Sequence, residues 1–161
     1  MNKLKVYIAG SMFTEAEISV RKAEAYVIRK KVDNVDVYNP AEQVFNTNKE
    51  TLPSPQDIYY GDMNAISNSN VIIVDLGCLH DPGVAAELGF AAGLNQHATN
   101  SEDSIYIIGV LSDIRVPSSH KYIYPTWGIN HLILGLIEEN GVIVSSFTDA
   151  VNELNRINAS R

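Results

Sequence analysis

Apolar and polar positions follow two patterns along this chain, which predict alternating strands and helices. Short apolar runs rich in β-branched residues, each bounded by turn residues, are typical of buried strands. These runs lie at residues 4–9, 35–38, 71–76, 105–111 and 142–145. Longer segments place apolar residues at helical spacing among polar ones. They predict helices at residues 15–31, 56–68, 82–95, 127–139 and 147–157.

The alternation of the two element types predicts the fold class. Strands that alternate with helices favour a parallel sheet covered by helices on both faces. We therefore predict one α/β domain over residues 1–161, a doubly wound five-stranded parallel sheet of the flavodoxin-like type. Ligands bind outside the carboxyl ends of strands in such sheets. The candidate binding loops are those after Ala9, Tyr38, Leu76 and Leu111. A long segment without a clear period, 41–55, is predicted to be a loop that can cover a site.

Composition and charge exclude several classes of function. The formal net charge of −7, from 12 basic and 19 acidic residues, would repel the phosphate backbone of a nucleic acid polymer. The single cysteine, Cys78, cannot form an internal disulfide and is predicted to be a small buried side chain. We expect a cytoplasmic protein without a membrane or metal partner, because no apolar run reaches the roughly 20 residues of a bilayer span and no signal peptide pattern is found. The histidines, which show no metal-ligand spacing, are His80, His97, His120 and His131.

The segment after the third strand carries the densest group of candidate residues. Asp81 is suited to cap a helix and Pro82 to open it, so Glu87 falls in the second turn. Its side chain is expected to lean over Gly83, which leaves room for a ligand. Because the residues around Glu87 are almost all small or apolar, we expect this helix to be buried on most sides, where a carboxylate needs partners or a function. The helix N-terminus is expected to help keep Glu87 ionised, although weakly at that distance.

Two further residues become candidates in combination with this helix. Asp62 precedes the third strand and Tyr7 lies in the first one; each taken alone is more typical of an ordinary structural position. Together with the helix, however, they form a series of blocks that resembles the nucleoside 2-deoxyribosyltransferase family in order and spacing. The blocks are residues 5–14 (KVYIAGSMFT), residues 62–66 (DMNAI), residues 81–91 with the pattern D-x-G-x-x-x-E-x-G, and Trp127-Gly128.

The resemblance implies a cofactor-free enzyme that exchanges nucleobases on 2'-deoxyribonucleosides. Glu87 matches the family's nucleophile, which forms a covalent ester with the sugar, and Tyr7 matches the residue that orients it. Asp62 matches the acid that can protonate the departing base, and Asp81 matches the carboxylate that holds the sugar hydroxyls. These roles agree with the chemistry, because the reaction builds positive charge on the sugar and negative charge on the base. The predicted substrate-binding residues are Gly10, Met12, Phe13, Gln43 and Gly83.

The chain departs from the family pattern at one place. Family members complete the sugar site with an amide residue from a neighbouring subunit, shortly before the Trp-Gly pair. Here that position falls near Ile123, with no asparagine in place, so the group that holds the 5'-hydroxyl stays open. The resemblance further implies a homo-oligomer built from dimers that acts on 2'-deoxynucleosides and free nucleobases. The choice between purine-only and broader substrates stays open as well.

Two other functions remain as alternatives. A 2'-deoxynucleoside 5'-phosphate N-hydrolase resembles the same fold but must bind a phosphate near the first loop. Here that loop holds Glu15, and Arg21 is a helix turn or more away. A receiver-like signalling module would use Asp75 as its phospho-acceptor. Such modules also need acids after the first strand to hold magnesium, and Ala9-Gly10-Ser11 supplies none. Asp75 is therefore expected to hydrogen-bond a neighbouring loop instead.

Overall fold

The strands form one parallel sheet with the predicted order of elements. A computed structural model describes residues 3–47, 50–100, 103–114 and 128–161 of the chain. The strands are β1 (Leu4–Ala9), β2 (Val35–Tyr38), β3 (Val71–Asp75), β4 (Tyr106–Val110) and β5 (Gly141–Val144). All neighbours pair in parallel, in the order β2-β1-β3-β4-β5. This is the flavodoxin-like order, so the predicted fold class is confirmed.

Except for a one-turn helix, the described helices begin where short polar side chains cap them. They are α1 (Glu15–Lys31), α2 (Val44–Thr47), α3 (Pro55–Ser67), α4 (Pro82–Asn95), α5 (His131–Asn140) and α6 (Phe147–Ala159). Thr14 and Ser54 each form a capping box, and Asp81 caps α4 as predicted. None of the helices in the described ranges is both long enough and apolar enough to span a bilayer.

Most predicted bounds lie within two residues of the observed ones, and two segments differ by more. Helix α5 begins at His131, not at residue 127, because the Asn130 side chain accepts the Leu132 amide at 2.8 Å and Gly128 has a left-handed φ of 88°. Trp127 itself lies outside the described residues. The segment 41–55 is not a simple loop as predicted, since a 3-10 turn at Pro40–Glu42 extends into its start and it contains α2.

Two hydrophobic cores lie on opposite faces of the sheet. On β1, Val6 and Ile8 pack toward α1 and α6, whereas Tyr7 and Ala9 point to the other face. That second core also contains buried residues of α3, α4 and α5, including Ile66, which lies on α3. Alternation along β1 therefore places the Tyr7 side chain on the face that α4 covers.

Helix α4 is buried along one face only. Its buried residues are Val84, Leu88, Ala91 and Ala92. Four positions are exposed, namely Pro82, Gly83, Ala86 and Gly89, and the remaining positions are partly buried. The expectation of burial on most sides was therefore wrong, because one face of the helix packs on the sheet and the other carries small residues toward solvent.

Candidate active site

A tyrosine and a glutamate are joined at the carboxyl end of β1. Tyr7 is fully buried, and its hydroxyl donates a hydrogen bond of 2.6 Å to Glu87 Oε1. Glu87 is partly buried, since it lies on the side of α4 that turns toward the sheet. The carboxylate is therefore held by the protein rather than surrounded by solvent, which leaves it in one orientation.

Burial sets the protonation of this pair. Desolvation raises the pKa of Glu87 to about 7; the hydrogen bond from Tyr7 lowers it, while the nearby charges of Asp62 and Asp81 raise it further. The expected help from the helix N-terminus is outweighed by burial. Burial and the Glu87 charge also raise the pKa of Tyr7 well above its ordinary value, so the phenol keeps its proton and remains a donor.

The second acid is buried and lies beside the first. Asp62 is only 6% exposed, which excludes the reading of this residue as a surface aspartate. Tyr38 donates a hydrogen bond of 3.2 Å to Asp62 Oδ1. Burial raises the pKa of Asp62, and the hydroxyls of Tyr38 and Tyr7 lower it in part. Two carboxylates with raised pKa values therefore share one buried cluster, a combination that is typical of acid-base sites.

Tyr38 is a residue of this cluster that the sequence motifs did not indicate. Its ring stacks on that of Tyr7, with centroids 5.4 Å apart and planes inclined by 12°. The two residues are paired in the register of β1 and β2. Neighbouring strands place paired side chains on the same face of a sheet. The feature that identifies Tyr38 is therefore its pairing with Tyr7 across the two strands, which a linear sequence motif does not contain.

Asp81 caps helix α4 and lies next to the first loop. Its carboxylate accepts the Gly83 amide at 2.9 Å, and the Ser11 hydroxyl lies 3.5 Å from its other oxygen. A Cβ on Gly83 would lie 3.1 Å from Asp81 Oδ1. The absent side chain of Gly83 thus makes room for Asp81, and does not simply leave space under Glu87 as expected.

The predicted base-pocket residues occupy separate surroundings. Phe13 is 77% exposed and Met12 is partly buried, both in the loop after β1. The side-chain amide of Gln43 donates to the backbone carbonyl of Asn39 at 3.0 Å. Gly10 lies against the side chain of Arg21. Their role in binding a base stays a prediction, because no contact among them defines a pocket.

Arg21 is a second residue that the sequence motifs did not indicate. It is 4% exposed and forms ion pairs of 2.8 Å with Asp75 and 3.2 Å with Glu24. Asp75 also accepts the Gly77 amide at 2.9 Å and the Cys78 thiol at 3.4 Å. The expected bond from Asp75 to a neighbouring loop is thus found. Since its carboxylate is committed to a buried cation, it does not resemble a free phospho-acceptor.

One open cavity lies beyond these carboxylates. It encloses about 740 Å³ at the carboxyl end of β4, and Leu76, Leu111 and Ile133 are among its lining residues, whereas Glu87 is not. Ile123 and the rest of 115–127 lie outside the described residues. In the described part of the chain, no three histidine, cysteine or acidic side chains come together as a metal site requires.

Comparison with known proteins identifies the family. The sequence profile of the nucleoside 2-deoxyribosyltransferase family matches residues 6–153. The chain belongs to this family. Members of the family act on small-molecule nucleosides and nucleobases, by transfer or hydrolysis of the glycosyl group. The matched range spans the positions of Tyr7, Tyr38, Asp62 and Glu87.

Relatives match this family member over nearly its whole length, and two solved structures share its fold. The uncharacterized protein UU063 of Ureaplasma parvum serovar 3 is 31% identical in an alignment of 159 positions that covers 94% of each chain. A conserved protein from Enterococcus faecalis V583 has a TM-score of 0.76 and 23% identity, covering 96% of this chain and 99% of the other. The CMP N-glycosidase BcmB of Clostridium botulinum has a TM-score of 0.57 and 17% identity, covering 95% and 98%. The two structures establish a shared fold.

Proposed function

We propose that this protein is a nucleoside 2-deoxyribosyltransferase that exchanges nucleobases through a covalent deoxyribosyl ester on Glu87. The observation that carries the proposal is the buried pair of carboxylates, Glu87 held by Tyr7 at 2.6 Å and Asp62 held by Tyr38 at 3.2 Å. Transfer of a sugar between bases requires a nucleophile and a proton donor at one place. These two acids supply both.

In the first step the nucleobase leaves. A Glu87 oxygen attacks C1' of the bound deoxyribose, and the bond from C1' to the base nitrogen breaks. The bonding electrons go to the base, which takes a proton from Asp62. The Tyr7 hydroxyl keeps the attacking carboxylate in one orientation, and Asp81 is proposed to hold the sugar hydroxyls, as the family resemblance implies. Positioning and charge stabilisation of this kind account for most of such a rate enhancement.

In the second step another base takes the sugar. The nitrogen of the incoming base attacks C1' of the ester, and the bond to Glu87 breaks, which returns the carboxylate. Asp62, ionised by the first step, accepts the proton that the incoming base loses. Transfer requires that water be kept from the ester while the bases exchange. The segment that contains α2, residues 41–55, stays our candidate for this cover.

The first loop favours a nucleoside over a nucleotide. Glu17 accepts hydrogen bonds from the amides of Phe13 and Thr14, at 3.0 and 2.8 Å, and so occupies donors at the start of α1. A helix start binds phosphate through such free amides. Arg21, the cation under this loop, is buried against Asp75 and Glu24. A 5'-phosphate would meet a carboxylate here.

The remaining expectations belong to the same proposal. We propose that the substrates are 2'-deoxynucleosides and free nucleobases, that no cofactor takes part, and that the protein acts in the cytoplasm as a homo-oligomer built from dimers. Gly10, Met12, Phe13 and Gln43 are proposed to line the base pocket. A hydrolase that acts on 2'-deoxynucleoside 5'-phosphates is the second candidate, since one protein of the same fold is a CMP N-glycosidase.

Incubation with thymidine and free adenine tests the proposal. We expect deoxyadenosine and thymine in equal amounts, and a deoxyribosyl adduct on the peptide that contains Glu87 when the second base is omitted. Glu87→Gln is expected to abolish both. Glu153→Gln is the matched control, because Glu153 also accepts a tyrosine hydroxyl, that of Tyr106 at 2.9 Å, but lies on α6. Release of thymine without deoxyadenosine, or faster turnover of the 5'-phosphate, would favour the hydrolase. No turnover of any deoxynucleoside would refute both.

A further inference from the structure

Two tyrosine and carboxylate pairs lie side by side in this site. Tyr7 donates to Glu87 at 2.6 Å and Tyr38 donates to Asp62 at 3.2 Å, while the two rings stack 5.4 Å apart and nearly parallel. The strand register aligns the two tyrosines as direct neighbours on β1 and β2. The stack therefore fixes one pair relative to the other.

The backbone on either side of Tyr38 is well anchored. Asn39, the next residue, is fully buried, and its side-chain amide donates to the Arg21 carbonyl at 3.0 Å while its oxygen accepts the Ala41 amide at 3.1 Å. On its other side Tyr38 is continuous with the rest of β2, which pairs with β1. The backbone of Tyr38 is thus fixed on both sides, and its ring stacks on the fully buried ring of Tyr7. Both contacts restrict the position of the Tyr38 hydroxyl.

We propose that Tyr38 is a positioning residue for Asp62, which holds this carboxyl group at a fixed distance from Glu87 and assists its proton transfer to the departing base. The inference rests on the proposed function. A hydroxyl donates its strongest hydrogen bond to an ionised carboxylate. The bond therefore strengthens as Asp62 loses its proton to the base and weakens when the proton returns. Tyr38 keeps its own proton throughout, because burial and Asp62 raise its pKa.

Tyr38→Phe isolates the hydroxyl, since it keeps the stacked ring. A hydrogen bond to a charged group is strong enough that its loss from a proton-transfer step is expected to lower kcat for thymidine by about tenfold. KM is expected to change little, because the hydroxyl acts on the acid and not on the sugar. The loss is expected to vanish with a 4-nitrophenyl 2-deoxyribofuranoside, whose leaving group departs as the stable nitrophenolate anion and needs no proton.

The chain offers a matched control for this variant. Tyr106 also donates its hydroxyl to a carboxylate, that of Glu153 at 2.9 Å, but it begins β4 at the opposite end of the sheet. Tyr106→Phe removes the same atom from the same type of bond. It is expected to leave kcat unchanged with both substrates. This result separates a general effect of losing a tyrosine hydroxyl on stability from a specific effect on Asp62.

The pH profile gives a second readout that a purely structural role would not move. The titratable groups that face Asp62 are Tyr7 from β1, Tyr38 from β2 and Glu87 from α4. The Tyr38 bond lowers the pKa of Asp62, so its removal raises that pKa. Since Asp62 must carry a proton to act as the acid, the alkaline limb of the kcat profile is expected to move to higher pH in Tyr38→Phe.

The outcomes separate this inference from the proposed function. If wild-type protein transfers deoxyribose and Tyr38→Phe matches it with both substrates and in its pH profile, the inference is overturned and the function stands. If wild-type protein transfers nothing, the proposed function fails. In that case the hydrogen bond between Tyr38 and Asp62 is tested by titrating the 13C-labelled carboxyl carbon of Asp62 by NMR, in wild-type protein and in Tyr38→Phe. A higher pKa in the variant supports positioning by Tyr38, and identical titrations overturn it.

Discussion

Gly10→Ala is expected to destabilise the protein by about 2–4 kcal/mol, because the new methyl group would overlap the guanidinium of a buried arginine. A Cβ on Gly10 would lie 2.7 Å from Arg21 Cζ and 3.2 Å from its Cδ. Arg21 has no room to withdraw, since it is 4% exposed and paired with Asp75 at 2.8 Å and with Glu24 at 3.2 Å. The glycine after β1 is therefore explained by close packing.

The magnitude lies between two limits. Overpacking a filled interior costs about 1–3 kcal/mol when the neighbours shift together. If the arginine instead leaves its partners, an unpaired buried charge costs about 3–5 kcal/mol. For a domain of this size each kcal/mol lowers Tm by about 2–4 °C, so the expected fall is readily measured by thermal or urea unfolding.

A second glycine provides the control for this prediction. Gly93 lies within α4, and a Cβ added there would meet nothing within 4 Å. Gly93→Ala is expected to stabilise the protein by about 0.5–1 kcal/mol, because alanine loses less backbone entropy in a helix. If Gly10→Ala unfolds at the same urea concentration as wild type while Gly93→Ala shifts as expected, the packing of Arg21 beneath Gly10 is refuted.

Two further predictions concern pH. Tyr7→Phe removes a hydrogen bond that lowers the pKa of Glu87, so this pKa is expected to rise above its present value of about 7. The acid limb of the kcat profile then moves to higher pH, and the rate relative to wild type should be lower near pH 6 than near pH 8. An unmoved acid limb would contradict the assignment of Glu87 as the nucleophile. Burial raises the pKa of Glu24 from its ordinary value of 4.5 to about 7, so the folded state binds more protons than the unfolded state between these values and the free energy of unfolding falls as pH rises through them. Glu24→Gln should make that part of the curve, measured by urea unfolding, less steep, and Glu87, whose pKa is also raised to about 7, accounts for part of the slope that remains. Glu153→Gln should leave the slope unchanged there, because the pKa of Glu153 is lowered.

Most of the fold could be predicted from the sequence because its elements carry local signals. The start of α4 was predicted at its observed residue, since Asp81 caps it and Pro82 opens it. The predicted bounds of β1 and β2 are also the observed ones, because β-branched and apolar runs end there at turn residues. The start of α5 was missed because helical periodicity continues through Gly128, whose left-handed backbone and the following cap decide the boundary.

The candidate site was predicted only in part, because Tyr38 joins it through the pairing of neighbouring strands and not through a sequence motif. Glu87 and its helix belong to one continuous motif, and the resemblance adds Tyr7 and Asp62. Tyr38 belongs to no motif. It becomes a neighbour of Tyr7 only because β2 lies beside β1, in a register that pairs the two residues. The flavodoxin-like order places β2 beside β1 once the fold class is predicted, and the observed register with the side-chain period of two then puts both phenols on the face that α3 and α4 cover. An aromatic residue that ends the strand next to a candidate catalytic tyrosine is therefore a site candidate on grounds of topology, before any motif includes it.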